Sequence, residues 1–227
     1  MERKFIFTPE EHYHVYNRGA NKAKIFFEDR DYSRFMLLLL LANQPNPVHL
    51  SNLLSSKKYQ GRSLINIFSE ERPDERLVDI LAYCLMPNHF HMVIREKSEG
   101  GMSTFMGKLM TGYSMYFNKK HERTGTLFQG RFQAKHIDND SYFRHIFSYV
   151  HLNPVDLFKS SWKDDKSIDK TNAVKFLDQY EYSSYPDYFV GIRPESSIIL
   201  QDFNSSWGED IRTPEELFNF YTEEGIE

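Results

Sequence analysis

The segment between residues 77 and 96 constrains the fold more than any other part of the chain. Two apolar runs, at 77–86 and 89–96, are separated there only by Pro87-Asn88, a dipeptide typical of turns. The segment therefore predicts a β-hairpin. His89 and His91 follow the turn directly, and residues i and i+2 of a strand leave the same face about 7 Å apart. Two imidazoles are thus predicted to point into one space.

The paired histidines predict a site for one divalent cation. Their nitrogens can bind the same ion, but such a site needs at least one further protein ligand. An amide or carboxylate oxygen suits Mg²⁺ or Mn²⁺. Another element of the chain has to supply that oxygen.

A helix predicted at residues 141–152 offers an oxygen ligand of this kind. Tyr142, His145, Tyr149 and Asn153 recur at helical spacing, so one face is polar where a purely structural helix would be apolar. A proline follows Asn153, which disfavours helical geometry, and we expect this side chain to turn inward as the third ligand. An alternative stays open, because a tyrosine is often a core residue with a hydrogen-bonded hydroxyl.

The same helix offers a nucleophile. Asn153 comes one turn after Tyr149 and is expected to aim the phenol at the ion. The ion would polarise a phosphoryl oxygen, and the phenolate of Tyr149 would attack phosphorus in line.

The element order predicts an α+β fold. Strand, helix, strand, strand, helix, strand and helix follow one another, an order that a ferredoxin-like βαββαβ plait with an antiparallel sheet satisfies. The tyrosine-bearing helix is then added at its C-terminal end, with peripheral helices around it. The predicted catalytic domain covers residues 1–190 with an insertion at about 43–76, and residues 191–227 form an acidic extension packed on the domain or trailing from it.

Charge is unevenly distributed along the chain. The net charge of −4 argues against a nucleic-acid partner, but residues 1–155 carry +5 and residues 156–227 carry −9. Within residues 101–136, six lysines and arginines stand against the single acid Glu122. The asymmetry favours an anionic partner, although a solvated helix face followed by a polar tail gives the same pattern.

Composition narrows the class of protein. No apolar run approaches the roughly 18 residues of a membrane span, and the N-terminus lacks the apolar region of a secretory signal. Cys84 is the one cysteine, which excludes an intramolecular disulfide and a cysteine-based zinc cluster. We therefore expect a cytoplasmic protein without a membrane partner.

Four motifs, taken in order, resemble those of the single-tyrosine HUH transposases of insertion sequences. The resemblance covers about residues 10–190 and is closest to the branch of REP-associated tyrosine transposases. The motifs are Tyr13-His-Val-Tyr-Asn-Arg-Gly19, His89-Phe-His91 after the Pro-Asn turn, the segment 125–132, and Tyr149-Val-His-Leu-Asn-Pro154.

The resemblance implies cleavage and rejoining of single-stranded DNA beside a recognised hairpin. His89 and His91 are then metal ligands, and Asn153 is the third ligand, standing where relatives carry Gln or Asn. Tyr149 forms a 5′-phosphotyrosine bond and releases a 3′-OH, without water or a nucleotide cofactor. Relatives include homodimers and monomers, and the sequence leaves both open. The insertion at 43–76 and the acidic tail depart from the family pattern.

Basic residues are expected to contact DNA phosphates, with Phe128 or Phe132 stacking on an unpaired base. The alternative is that the cations form surface ion pairs and the aromatic rings belong to the core. His12 and His14 alternate on the first strand and are predicted to be packing or surface histidines. The expected phosphate-binding residues are Arg18, Lys119, Lys120, Arg123 and Arg131.

Two other functions remain as alternatives. A small metal-dependent hydrolase would hold zinc with two histidines and a carboxylate and would use water as its nucleophile. A hairpin nucleic-acid-binding domain without catalysis would use the same plait as a platform.

Overall fold

A four-stranded antiparallel sheet forms the centre of the computed structural model, which describes residues 6–47, 50–62, 64–71, 73, 75–160, 162, 168–200 and 211–223. The strands are β1 (His12–Arg18), β2 (Val78–Met86), β3 (His89–Glu96) and β4 (Gln133–Ile137). Their order across the sheet is β2-β3-β1-β4, with every neighbouring pair antiparallel. The first and third strands are central, as the ferredoxin-like prediction requires, and the α+β class is confirmed.

Helices cover both faces of this sheet. The described residues of the predicted insertion form two short helices, and no helix in the described ranges is long and apolar enough to cross a membrane. Short 3₁₀ helices lie at Ala20–Lys22 and Pro194–Ser197. The α-helices are α1 (Asp29–Leu41), α2 (Leu50–Ser55), α3 (Leu64–Glu70), α4 (Gly101–Lys120), α5 (Asp140–Leu152), α6 (Val155–Phe158), α7 (Lys170–Asp178), α8 (Tyr185–Phe189) and α9 (Pro214–Glu223).

The sheet separates two hydrophobic cores, because successive side chains of a strand point to opposite faces. On β3, Phe90 and Met92 pack in one core with residues of α1 and α4, among them Tyr113. Val93 packs in the other core with residues of α5, among them Phe147. The odd-numbered positions of β3, including both histidines, therefore face α5.

The turn between β2 and β3 is anchored by the loop that follows β1. The carbonyl of Pro87 accepts hydrogen bonds from the backbone N–H groups of Ile25 (2.8 Å) and Phe26 (3.1 Å), and the carbonyl of Asn88 accepts one from Gly19 (2.8 Å). A Cβ at Gly19 would lie 2.1 Å from the carbonyl oxygen of Ala23, so a larger residue does not fit. These contacts hold the first residue of β3 in place.

The C-terminal part of the chain packs on the domain. The N–H of Ser184 donates to the carbonyl of Tyr83 (2.9 Å), and that of Leu200 to Ile80 (2.9 Å), so this segment covers the edge of β2. Leu217 and Phe218 of α9 are buried in the hydrophobic core that lies between the sheet and α5. The described residues beyond 190 therefore include segments that contact β2 and α5.

Candidate active site

His89 and His91 occupy the start of β3 and share the face that looks toward α5. Their ring centroids are 5.1 Å apart and their planes nearly perpendicular. His91 is buried, whereas His89 is half-buried beside the turn. The shared face that the strand alternation predicted is present.

α5 brings Tyr149 to this pair. The side chain of Asn139 caps the helix by accepting a hydrogen bond from the N–H of Tyr142 (2.8 Å). The apolar face of α5, with Phe147 and Val150 buried, packs on the sheet and sets the rotation of the helix. Tyr149 Oη consequently lies 3.4 Å from Nε2 of His91 in the same chain.

Asn153 lies beside the other histidine. Its side chain is buried, and its Oδ1 is 3.2 Å from Nε2 of His89. The expectation that the proline would force Asn153 out of helical geometry is wrong, since its φ of −54° and ψ of −38° are helical. Leu152, Pro154 and Val155 are buried, so tertiary packing outweighs the local preference against helical geometry before proline.

The environment of Tyr149 keeps its phenol protonated at neutral pH. Burial raises the pKa of Tyr149 to about 12, because the phenolate would lose hydration. A hydrogen bond from the side chain of Asn153 acts in the opposite direction and lowers this pKa. The amide of Asn153 therefore contacts both the phenol and His89.

His14 completes this cluster, and the sequence did not assign it a functional role. Its Nε2 lies 2.9 Å from Nδ1 of His91, and its side chain is buried. Burial, helped by the charges of Lys135 and His145, lowers the pKa of His14 to about 3, so its ring is neutral at neutral pH. β1 pairs His14 with Val93, two positions beyond His91, and this register is the signal that identifies it.

One pattern of protons satisfies the contacts around His91. If Tyr149 donates its hydroxyl proton to Nε2 of His91, the ring proton of His91 is on Nδ1 and is donated to Nε2 of His14. Each of these two hydrogen bonds then joins one donor to one acceptor. His14 thereby selects which nitrogen of His91 presents its lone pair to the site.

The contacts of His89 fit a small divalent cation. Nδ1 of His89 is 2.7 Å from Oδ1 of Asn88, a distance at which the ring N–H donates to the amide. The lone pair of Nε2 then faces the Oδ1 of Asn153, and two acceptors oppose each other at 3.2 Å. Ligands of one octahedral cation at about 2.1 Å lie about 3 Å from one another. A cation bound between these two atoms would accept both lone pairs and remove the repulsion.

The donor set consists of imidazole nitrogens and an amide oxygen. Within the part of the chain that the structure describes, no group of three His, Cys, Asp or Glu side chains converges in a way that could hold a metal. His89, His91 and Asn153 together supply nitrogen and oxygen ligands of the kinds that Mn²⁺ and Mg²⁺ accept.

A cleft of about 700 Å³ opens beside the two histidines. Arg18, one of the basic residues predicted to contact DNA, lies in its wall and donates a hydrogen bond to the side chain of Gln129. The cleft has one further cation, and the rest of its polar lining is uncharged amide, hydroxyl and imidazole. Its lining residues are Tyr16, Asn17, Arg18, Lys22, Asn88, His89, His91, Gln129 and Gln133.

The other predicted DNA-binding residues lie away from this cleft. Lys119 and Lys120 are at the end of α4, on the opposite face of the sheet, and Lys120 bonds to Glu28 and Asp31. Arg123 donates to the carbonyl of Thr126 and lies over the ring of Phe117.

Arg131 and the two aromatic residues proposed to stack on a base lie together elsewhere. Arg131 lines a separate groove along α4 with Phe128 and Phe132. Both rings are largely buried in the core, with exposed fractions of 4% and 8%. The role of these basic residues in DNA binding stays a prediction, and the sequence did not separate them by location.

Comparison with known proteins bears on this geometry. Residues 56–153 match the family model described as IS200-like transposase, a span that contains both histidines, Tyr149 and Asn153. The resemblance to this transposase family is confirmed. The match supports a transposase function. No curated protein matches the chain.

Two solved structures share low similarity with the chain. One is a REP-associated tyrosine transposase bound to a REP hairpin, with 13% identity, coverage of 93% of this chain and 96% of that one, and a TM-score of 0.46. The other is a tRNA(His) guanylyltransferase from Saccharomyces cerevisiae, with 12% identity, coverage of 78% and 74%, and a TM-score of 0.30.

Proposed function

We propose that this protein is a metal-dependent transposase of the HUH single-tyrosine type, which cleaves and rejoins single-stranded DNA through a 5′-phosphotyrosine intermediate. The observation that carries the proposal is the 3.4 Å separation between Tyr149 Oη and His91 Nε2, two residues 58 positions apart in the chain. The phenol, the histidine pair and the amide of Asn153 converge at one point. This is the arrangement that a tyrosine nucleophile beside a phosphate-binding cation needs.

His89, His91 and Asn153 would hold Mg²⁺ or Mn²⁺. When bound, the cation polarises a phosphoryl oxygen of the scissile phosphate. Tyr149 attacks that phosphorus and forms the Tyr–O–P bond, while the bond from phosphorus to the 3′-oxygen breaks. The phenol proton of Tyr149 passes to solvent, the departing 3′-oxygen takes one up from solvent, and Asn153 holds the phenol in line.

Rejoining is the reverse reaction. A 3′-OH of the second strand attacks the phosphotyrosine, the new phosphodiester bond forms, and Tyr149 leaves with a proton. No water or nucleotide is consumed, since the energy of the original phosphodiester is conserved in the protein–DNA bond. The cleft beside the histidines would hold the single strand, with Arg18 and Lys22 near its phosphates.

A covalent trapping assay tests the proposal. Labelled single-stranded oligonucleotides carrying a hairpin are incubated with the protein and Mn²⁺ or Mg²⁺ and then denatured. We expect a protein–DNA band that Tyr149→Phe abolishes and that EDTA prevents. Tyr142→Phe is the matched control, because it removes the hydroxyl of another half-buried tyrosine two turns earlier on α5 and should leave the band in place.

The assay also separates the alternatives. Cleavage that persists in Tyr149→Phe would identify water as the nucleophile and favour the hydrolase. Hairpin binding that is unchanged by EDTA, with no covalent band from the unmodified protein, would favour a binding domain without catalysis.

A further inference from the structure

A second groove lies on the side of the sheet opposite to the histidines. It runs between α1 and α4, is closed at one end by α2, and has a volume of about 760 Å³. Its floor is apolar, with Leu38 packed against Gly112 where the two helices approach. None of the described residues that line it is acidic. Five are cationic: Arg30, Arg34, Lys108, Lys119 and Lys120.

Two of these cations already have partners at the ends of the groove. Lys108 donates to three backbone carbonyls after α1, those of residues 44, 45 and 46, at 2.6, 2.8 and 3.2 Å. Lys120 pairs with Glu28 at 2.7 Å and Asp31 at 2.5 Å. These contacts shape the groove and leave its centre to the other three cations.

Arg34 is the informative residue of that centre. Its guanidinium lies over the ring of Tyr116, 5.1 Å from the centroid, and its Nη2 donates a long hydrogen bond of 3.5 Å to Ser51 Oγ. Its Nε is buried and has no hydrogen-bond partner within the described ranges. No described carboxylate forms an ion pair with Arg34, Arg30 or Lys119.

The guanidinium of Arg34 is half-buried, and none of the described carboxylates provides its counter-charge. Desolvation disfavours the charged form, and burial accordingly lowers the pKa of Arg34 from its ordinary value, with the charge of Arg30 acting in the same direction. Such a group is normally paired, because a partly desolvated cation without a counter-charge is unfavourable. The missing partner is most simply an anion supplied from outside.

The spacing of the cations indicates the kind of anion. Arg30 and Arg34 are one turn apart on α1, about 6 Å along the helix axis, a separation close to that of neighbouring phosphates on a nucleic-acid strand. Lys119 lines the groove from the facing helix α4, and the ring of Tyr116 lies between the two sides. A row of cations around an aromatic ring fits a phosphodiester backbone better than an isolated phosphate.

We infer that the α1–α4 groove binds the phosphate backbone of the same DNA that the catalytic cleft cleaves, through Arg30, Arg34 and Lys119. The inference rests on the proposed function for the identity of its partner, since it takes DNA as the ligand. The groove and the cleft lie on opposite faces of the sheet. DNA that fills both must therefore extend around the molecule, and a strand of a few nucleotides is too short to occupy both at once.

The test compares two DNA probes in charge-neutralised variants. Affinity for a hairpin with a single-stranded flank is measured as a function of salt, and covalent trapping is measured with a short single strand of about six nucleotides. We expect Arg30→Gln, Lys119→Gln and their combination to weaken hairpin binding and to reduce the slope of log K against log salt by about 0.9 per lost duplex contact. Trapping of the short strand should be unchanged.

Arg34→Gln should weaken hairpin binding most. Because Arg30 is exposed, Arg30→Gln should not disturb folding, so its effect reports the loss of charge. Lys175→Gln on α7 is the charge-matched control, an exposed lysine remote from the groove, and should leave the slope as it is.

Two outcomes would overturn the inference. One is an unchanged affinity and slope in the Arg30 and Lys119 variants. The other is displacement of the hairpin by inorganic phosphate as effectively as by DNA, which would make the groove a site for a small anion. Loss of hairpin affinity in the variants, when the unmodified protein forms no covalent band, would instead uphold the groove and refute the proposed chemistry.

Discussion

At the scale of single residues, the proton position on His91 decides what the site can do. Nε2 of His91 faces the phenol, and Nδ1 faces His14 at 2.9 Å. Free imidazole interconverts between two neutral tautomers, so a neighbour that accepts from Nδ1 selects the tautomer with a lone pair on Nε2. His14 is thereby a positioning residue that acts through His91.

We therefore predict that His14→Leu changes His91 in the metal-free protein. Nitrogen-15 NMR of the imidazoles at neutral pH should show His91 as the Nδ1–H tautomer in the unmodified protein and as a mixture in the variant. Mn²⁺ affinity should fall by roughly 10- to 100-fold, as is typical when a group that orients a ligand is lost.

Conservative variants distinguish positioning from packing. His14→Gln, which keeps an acceptor, should restore part of the Mn²⁺ affinity. His12→Gln is the control, since His12 lies on the same strand face but packs on Phe143. An unaltered His91 spectrum in His14→Leu would refute the positioning role.

At the scale of elements, the position of α5 depends on a buried polar contact behind the active face. Nε2 of His151 is 2.8 Å from Oγ of Ser184, and its Nδ1 is 3.0 Å from the carbonyl of Phe147. Because Nδ1–H of the neutral ring donates to that carbonyl, Nε2 accepts from the hydroxyl of Ser184, whose Oγ in turn accepts from the N–H of Tyr83 on β2 (2.9 Å). One hydroxyl thus joins α5 to the sheet, and burial keeps His151 neutral by lowering its pKa to about 3.

Ser184→Ala should reduce the free energy of unfolding by about 1–3 kcal/mol, because buried groups of His151 and Tyr83 lose their partner. Urea denaturation measures this, with an unchanged m-value. Ser148→Ala is the matched control. Ser148 is also fully buried on α5, but its hydroxyl has no hydrogen-bond partner among the described residues, so its loss should change stability by less than about 0.5 kcal/mol. Equal effects of the two substitutions would contradict this role.

At the scale of the whole molecule, the proposed active site and the cationic groove lie on opposite sides of the sheet. The histidine pair, Tyr149 and Asn153 lie on the α5 face, and the cationic groove lies on the outer side of the α1–α4 layer. α9 packs along α5, where Tyr221 stacks on His145 with centroids 5.5 Å apart. The C-terminal layer therefore supports the helix that carries the proposed nucleophile.

Leu217→Ala tests whether this layer belongs to the folded unit. Leu217 is fully buried between α9 and α5, and its truncation should cost about 2–5 kcal/mol through lost burial and a residual cavity. A single cooperative transition at lower urea should follow. Asn219→Ala, exposed on the same helix, is the control. If Leu217→Ala left the main transition unchanged, α9 would be an independent appendage.

Much of the site could be predicted from local patterns. Local periodicity predicts the hairpin, the shared face of His89 and His91, and the helix that carries Tyr149. The structure contains all three. The central position of β1 and β3 follows from the predicted ferredoxin-like order and is also confirmed. Their roles as ligands and nucleophile stay predictions.

What the sequence by itself determined is which side chains share a strand or helix face, because a period of two or 3.6 residues depends only on local backbone geometry. What only the tertiary structure decided is which faces meet. The contact between His14 and His91 depends on strand register, the helical geometry of Asn153 on packing around Pro154, and the position of Arg34 over Tyr116 on the approach of α1 to α4. Each joins residues distant in the chain, and close packing rather than local preference sets their distances.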